Sequence, residues 1–234
     1  MDFSPVRGVE ATRPTEPMGG FRYPGWYAIL AAAALFVSLI IALQNPVPGW
    51  ELSLTEWING APDSVATLLY PLMQLGTLAA PLLVAWGILV FKRDRLLALT
   101  TLVVGLAAWF GAKIIKRWVE RGRPLEYLPG INVREGTGTG LGFISGHSAV
   151  VASAVAIMVM AAIPNRFRAA VLGIALFVGV ARIVHGVHLP VDVVGGWAFG
   201  ALIGFAGLWV YDRIAPWIGA RRLTVAPSTA SSLS

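Results

Sequence analysis

Three short clusters in this sequence combine residue types that capture and cleave anions. They are Lys116 followed by Arg123-Pro124, then Ser145-Gly146-His147, then Arg182 followed by His188 and Asp192. Lys116, Arg123 and Arg182 are fixed cationic donors, and the two guanidiniums suit bidentate capture of phosphate oxygens. Ser145 and the Gly146 amide add neutral donors at the start of an apolar run, where a helix dipole favours an anion. The chain has three histidines, and two of them, His147 and His188, flank the place such an anion would take. That is the number a nucleophile and an acid require. Asp192 follows His188 by four residues across Pro190, so its carboxylate is spaced to hold one ring N–H and leave the other nitrogen free to attack.

The elements that must position these groups are apolar. Of 234 residues, 56% are hydrophobic and only 13% charged, about half the charge of an average soluble domain, and mean hydropathy is +0.71. A soluble globular enzyme is thereby disfavoured. The net charge of +6 comes from cations that punctuate apolar runs instead of forming a patch, which argues against nucleic acid. The absence of cysteine removes disulfides, thiolate metal sites and cysteine nucleophiles.

Six runs approach the roughly 20 apolar residues a helix needs to cross a bilayer: 26–44, 66–91, 96–116, 147–163, 169–187 and 192–215. The fold expected is all-α, a polytopic six-helix membrane bundle over 25–215. Residues 1–24 and 216–234 form cytoplasmic tails, with 1–24 and the Ser/Thr/Ala-rich 224–234 read as largely disordered. The first run is too long for a signal-peptide core and lacks a cleavage site, so it reads as an anchor. An even number of spans puts both termini on one side, and eleven of the eighteen cations fall there, which makes that side cytoplasmic. The other seven, Lys113, Lys116, Arg117, Arg121, Arg123, Arg134 and Arg182, lie at the opposite face, where all three clusters also fall. Anion capture accounts for that violation of the charge bias.

Smaller features read as follows. Glu51–Asn59, beside Trp50 and Trp57, is either a short interfacial helix or an ordinary connector. Gly196, Gly200 and Gly204 form a small-residue stripe for close helix approach. Lys113 and Arg117 read as snorkelling residues, His185 as a helix-packing histidine, and the alternating Gly136, Gly138, Gly140 and Gly142 as a flexible lid.

In its Lys116-x6-Arg123-Pro124, Ser145-Gly146-His147 and Arg182-x5-His188-x3-Asp192 spacings, in that order, the chain resembles the type 2 phosphatidic acid phosphatase (PAP2) superfamily. The resemblance departs at Ile144, where the family has proline, and at Ala181, where it has serine. It implies that His188 is a nucleophile forming a phosphohistidine, oriented by Asp192, and that His147 protonates the leaving oxygen and then activates water. Lys116, Arg123, Ser145, Gly146 and Arg182 would bind the phosphate, with no metal and no cofactor. The expected activity is hydrolysis of a lipid phosphate or pyrophosphate, a polyprenyl diphosphate such as undecaprenyl diphosphate first, at the extracytoplasmic face of the cell membrane. Phosphatidate and phosphatidylglycerol phosphate are equally implied by the resemblance. The alternatives are a non-hydrolytic lipid-phosphate binder or translocator, motivated by Ala181 and Ile144, and a lipid phosphotransferase. A relation to soluble vanadium haloperoxidases is opposed by the six runs.

Overall fold

The computed structural model describes residues 25–224, with side chains to 218; the tail expected over 1–24 and the last residues from 225 lie outside it. The described residues are helical, without strands. In order they are α1 (Trp26–Ala42), α2 (Gly49–Asn59), α3 (Asp63–Met73), α4 (Ala79–Gly87), α5 (Arg95–Val119), the single turn α6 (Pro124–Tyr127), α7 (Gly146–Ile157), α8 (Arg168–Val184) and α9 (Pro190–Thr224). Wider π-helical turns extend α4 over Ile88–Lys92 and α7 over Met158–Ala162.

Many large apolar side chains face outward, and small residues make up much of the interior beside a few buried large ones such as Phe143, Met73 and Leu97. Trp118, Phe91, Trp57 and Trp217 are exposed, whereas alanine, valine and glycine recur in the interior. This inversion suits a lipid-facing surface, where helices associate by close backbone approach. α7 is the centre: every residue from Ser148 to Ile157 is buried. The expected glycine stripe lines its contact with α9. A Cβ on Gly200 would stand 2.0 Å from the Ala149 carbonyl oxygen, and one on Gly196 2.5 Å from that of Ser145. Only glycine permits this approach.

Three helical segments, Arg95–Tyr127, Asn165–Val184 and Pro190–Ile218, are long and apolar enough to cross a membrane; Trp26–Ala42 and Gly146–Ala162 are shorter apolar helices. The run expected at 66–91 is not one straight helix. It breaks between Asp63–Gly76 and Ala79–Lys92 with a 65° bend, and the pair passes as a span only together. Thr77 is extended, and its hydroxyl donates to the Gln74 carbonyl and accepts from Ala79 N–H, capping both sides of the break. The helix bounded at Ala215 in the sequence reading continues through Pro216 to Thr224.

α2 is amphipathic in reverse. Glu51, Thr55 and Asn59, spaced four apart on one face, are buried, while Trp50, Leu54 and Trp57 are exposed. Of the two readings of this segment, helix is the one adopted.

Candidate active site

The three clusters meet where α5 ends and α7 and α9 begin. Ser145 is the N-cap of α7 and accepts from Ser148 N–H and from the Ser148 hydroxyl at 3.0 Å. Those bonds use the lone pairs of Ser145 Oγ and leave its proton to donate. Gly146 and His147 follow in the first turn, where backbone N–H groups have no intrahelical acceptor. The Ser145 N–H donates to the Asp192 carbonyl at 2.9 Å, tying the start of α7 to the start of α9.

Between α8 and α9 the chain must turn sharply. Gly186 adopts a left-handed φ of +70°, and a Cβ there would lie 2.4 Å from the Asn132 carbonyl oxygen. The turn delivers His188, 2% exposed, beside the fully buried Asp192. His188 Nδ1 lies 3.3 Å from Asp192 Oδ2, which also accepts Leu189 N–H at 3.0 Å. Leu189 precedes the first helical residue, Pro190, so Asp192 at the third position is the reciprocal half of a capping box. One carboxylate thus both starts α9 and holds the imidazole, leaving Nε2 free.

Around His188 the cations gather. Burial, and then the charges of Lys116, Arg182 and Arg123 and the neighbouring His147, hold its imidazole well below the usual histidine value. The structure therefore brings both histidines and all three cations within electrostatic reach of one another. Lys116 Nζ donates to the carbonyls of Leu141 and Gly142 at 2.9 and 2.6 Å, which leaves one of its three protons unused. Among the described residues four arginines have a buried Nε without a hydrogen-bond partner: Arg123 and Arg182 of the clusters, and Arg121 and Arg168 outside the expected phosphate ligands. Buried donors without acceptors call for an explanation, and an oxyanion supplies one for Arg123 and Arg182.

The sequence reading missed three groups. Glu135 forms an ion pair with Arg182, so a carboxylate of the chain itself sits on a phosphate-binding candidate. Arg121, counted earlier only as a misplaced cation, donates to Asp192 Oδ1 at 3.1 Å and forms a two-pronged pair with Glu51 of α2. The Arg121-x-Arg123 repeat and an acidic residue between two tryptophans were the only signals in the sequence. Other expectations sort cleanly. His185 Nδ1 bonds its own helix at the Ala181 carbonyl and its ring lies near Tyr70, as a packing histidine does. Lys113 Nζ lies over the Trp109 and Phe110 rings.

The glycine-rich loop is pinned at both ends. Arg134 donates to Asp63 and to the carbonyls of Asn59, Ala61 and Val184, while Gly142 N–H donates to the Arg121 carbonyl at 2.6 Å. Of the two departures from the family pattern, Ile144 is wholly buried in the apolar cluster with Phe143 and Val150, and Ala181 in that with Ala66, Leu69 and Met73.

The PAP2 superfamily model matches residues 95–215. An undecaprenyl-diphosphatase of Sulfolobus acidocaldarius is 26% identical over 196 residues, covering 81% of this chain and 92% of that protein. A lipid A 1-phosphatase of Rhizobium johnstonii is 29% identical over 215 residues, 84% and 85% of the two chains. Among solved structures, the transmembrane PAP2-type phosphatidylglycerolphosphate phosphatase of Bacillus subtilis superposes with a TM-score of 0.65 at 20% identity, over 81% of this chain and 98% of that one. LpxE of Aquifex aeolicus gives 0.61 at 20% identity, over 68% and 94%.

Proposed function

The chain belongs to the PAP2 superfamily, and we propose from that premise that it is a membrane phosphatase hydrolysing a lipid phosphate or pyrophosphate through a phosphohistidine at the extracytoplasmic face. The observation that carries the reading is the convergence on His188: a carboxylate at one ring nitrogen, with Lys116, Arg123, Arg182 and His147 all close enough to act on the same imidazole. Six spans follow if the bent pair counts as one and the two shorter apolar helices also cross. Both termini are then cytoplasmic, and the site opens where a headgroup enters while its tail stays in hydrocarbon.

In the first step the His188 Nε2 lone pair forms a P–N bond as the bond from phosphorus to the leaving oxygen breaks, and His147 gives that oxygen its proton. In the second, neutral His147 takes a proton from water, whose oxygen attacks phosphorus while the P–N bond breaks and phosphate leaves. Lys116, Arg123, Arg182, the Ser145 hydroxyl and the Gly146 amide stabilise the equatorial oxygens; each such donor is worth on the order of 10²–10³ in rate. Ile144 and Ala181 lie in apolar clusters; alanine at 181 forgoes one possible hydroxyl donor to the phosphate but leaves nucleophile, acid and cations, and so every chemical step, in place.

A polyprenyl diphosphate is the substrate proposed first, supported by the named activity of the Sulfolobus relative. The test is inorganic phosphate release by the purified full chain from polyprenyl diphosphate, phosphatidate, phosphatidylglycerol phosphate and lipid A. Release that His188→Ala abolishes is the expected result; binding of these lipids without release would overturn the reading in favour of a binder. Release should persist in EDTA and be inhibited by vanadate.

A further inference from the structure

We propose that Glu51 and Arg121 are positioning residues for the His188–Asp192 pair, so that α2 belongs to the catalytic apparatus although it lies outside the residues matching the family model. The inference rests on the hydrolase reading above and extends it to a helix whose outer face is apolar.

Asp192 has two oxygens and both are committed. Oδ2 faces His188 Nδ1 and accepts Leu189 N–H, and Oδ1 accepts from Arg121 Nη1 at 3.1 Å. A carboxylate held at one oxygen only can rotate about its terminal bond; a guanidinium on the second oxygen fixes its plane, and with it the direction of the imidazole. Arg121 cannot hold that pose alone. It is 4% exposed and leaves α5 on a short linker, so its own orientation needs a partner. Glu51 provides one end-on, accepting Nη1 at Oε1 and Nη2 at Oε2. A planar fork matched to a carboxylate has one geometry, which a lysine does not reproduce.

Glu51 reaches the site a second way. Its Oε1 accepts Val191 N–H at 2.9 Å, one of the first-turn amides of α9 that have no acceptor within the helix. The start of α9 is therefore capped twice, by its own Asp192 and, across the fold, by Glu51. Both acidic side chains and Arg121 are withdrawn from water, and burying a charge is costly without strict pairing. The chain bears that cost at the residues that aim the nucleophile. A merely structural ion pair would need only Glu51 and Arg121; the third member is what ties it to the reaction.

The test is steady-state kinetics of the full chain on whichever lipid the wild type hydrolyses, with thermal unfolding in the same detergent. Glu51→Gln keeps the size of the side chain and an acceptor for Val191 but loosens the fork. Misplacement of a reacting group by about an ångström costs on the order of 10²-fold, so kcat should fall about 10- to 100-fold with KM within about twofold. The unfolding midpoint should fall as well, because buried Arg121 loses one of its two carboxylates, so kcat and KM are read on protein verified as folded at the assay temperature. If Glu51→Gln is not recovered folded, Arg121→Lys reads the same quantity, because it keeps the charge and loses the fork. A variant with wild-type kcat, or one in which only KM rises, overturns the inference while leaving the hydrolase reading intact. Wild-type protein that releases no phosphate from any lipid of the panel overturns both.

Discussion

Arg134 and Arg123 sit at the same end of the molecule, and the charge bias of the sequence treats them alike. Their surroundings are opposite. Arg134 donates to one carboxylate and three backbone carbonyls and its own N–H to the His185 carbonyl, stitching α2 and α3 to the end of α8. Arg123 caps the short α6 by its backbone and leaves its buried Nε without a partner. A cation whose donors are consumed by the fold holds structure; one whose donors are left over is available to a ligand. Counting charge on a face does not separate the two; their hydrogen-bond partners do, although a leftover Nε does not by itself mark a ligand group, since Arg121 and Arg168 have one as well.

The contrast can be broken in several ways, and the largest effect belongs to the leftover side. His188→Ala should abolish phosphate release, a loss of at least about 10³-fold if nucleophile and base act as a unit, measured with the folded protein verified by size exclusion. Arg123→Ala should lower kcat/KM by about 10²- to 10³-fold with little change in the unfolding midpoint. Arg134→Ala should do the reverse: it leaves the part-buried carbonyls of Asn59 and Ala61 short of a donor, at about 1–3 kcal/mol for each group left unpaired, while that of Val184 keeps Asn59 Nδ2. Equal effects of the two arginine variants on stability would erase the distinction. Next in size, the imidazole at 188 should stay neutral at pH values where an ordinary histidine is half charged. Its value is lowered, so the neutral nucleophilic form persists as pH falls through 6.5 and is lost only well below it. Histidine NMR of the phosphate-free protein, assigned with His188→Gln, checks this; protonation near pH 6.5 would contradict it. The smallest effect concerns Glu135, the carboxylate paired with Arg182. Because it occupies Arg182, Glu135→Gln should lower KM several-fold at similar kcat; a raised KM would mean that the carboxylate helps to bind the lipid instead of competing with it.

How much of this was legible in the sequence depended on the range of the interaction. The His188–Asp192 spacing, the N-cap serine before His147 and the Gly196-Gly200-Gly204 stripe are local, and each has the geometry its spacing implies. The break at Thr77 was hidden because Ala79 to Lys92 continues the same apolar composition; beside it Gly76 packs on α7, where a Cβ would stand 2.6 Å from that of His147. Glu51 was hidden for a different reason. Its acceptors face groups 70 and 140 positions away, and its neighbours Trp50 and Trp57 announce a surface helix without saying that the other face is polar. The extension of α9 through Pro216 was likewise masked, since proline inside a run reads as a stop.

The seam between α7 and α9 works like a pair of rods bolted together at the mouth of the pocket. The bolt is the Ser145–Asp192 backbone bond at 2.9 Å, and the three glycines lie at successive distances below it. A methyl wedge at Gly196 pries directly on the bolt and spreads the two imidazoles, whereas the same wedge at Gly204 only strains the shafts. Alanine walked down the seam should therefore read as a graded ruler, with turnover lost first at the top and thermal tolerance alone eroded at the bottom.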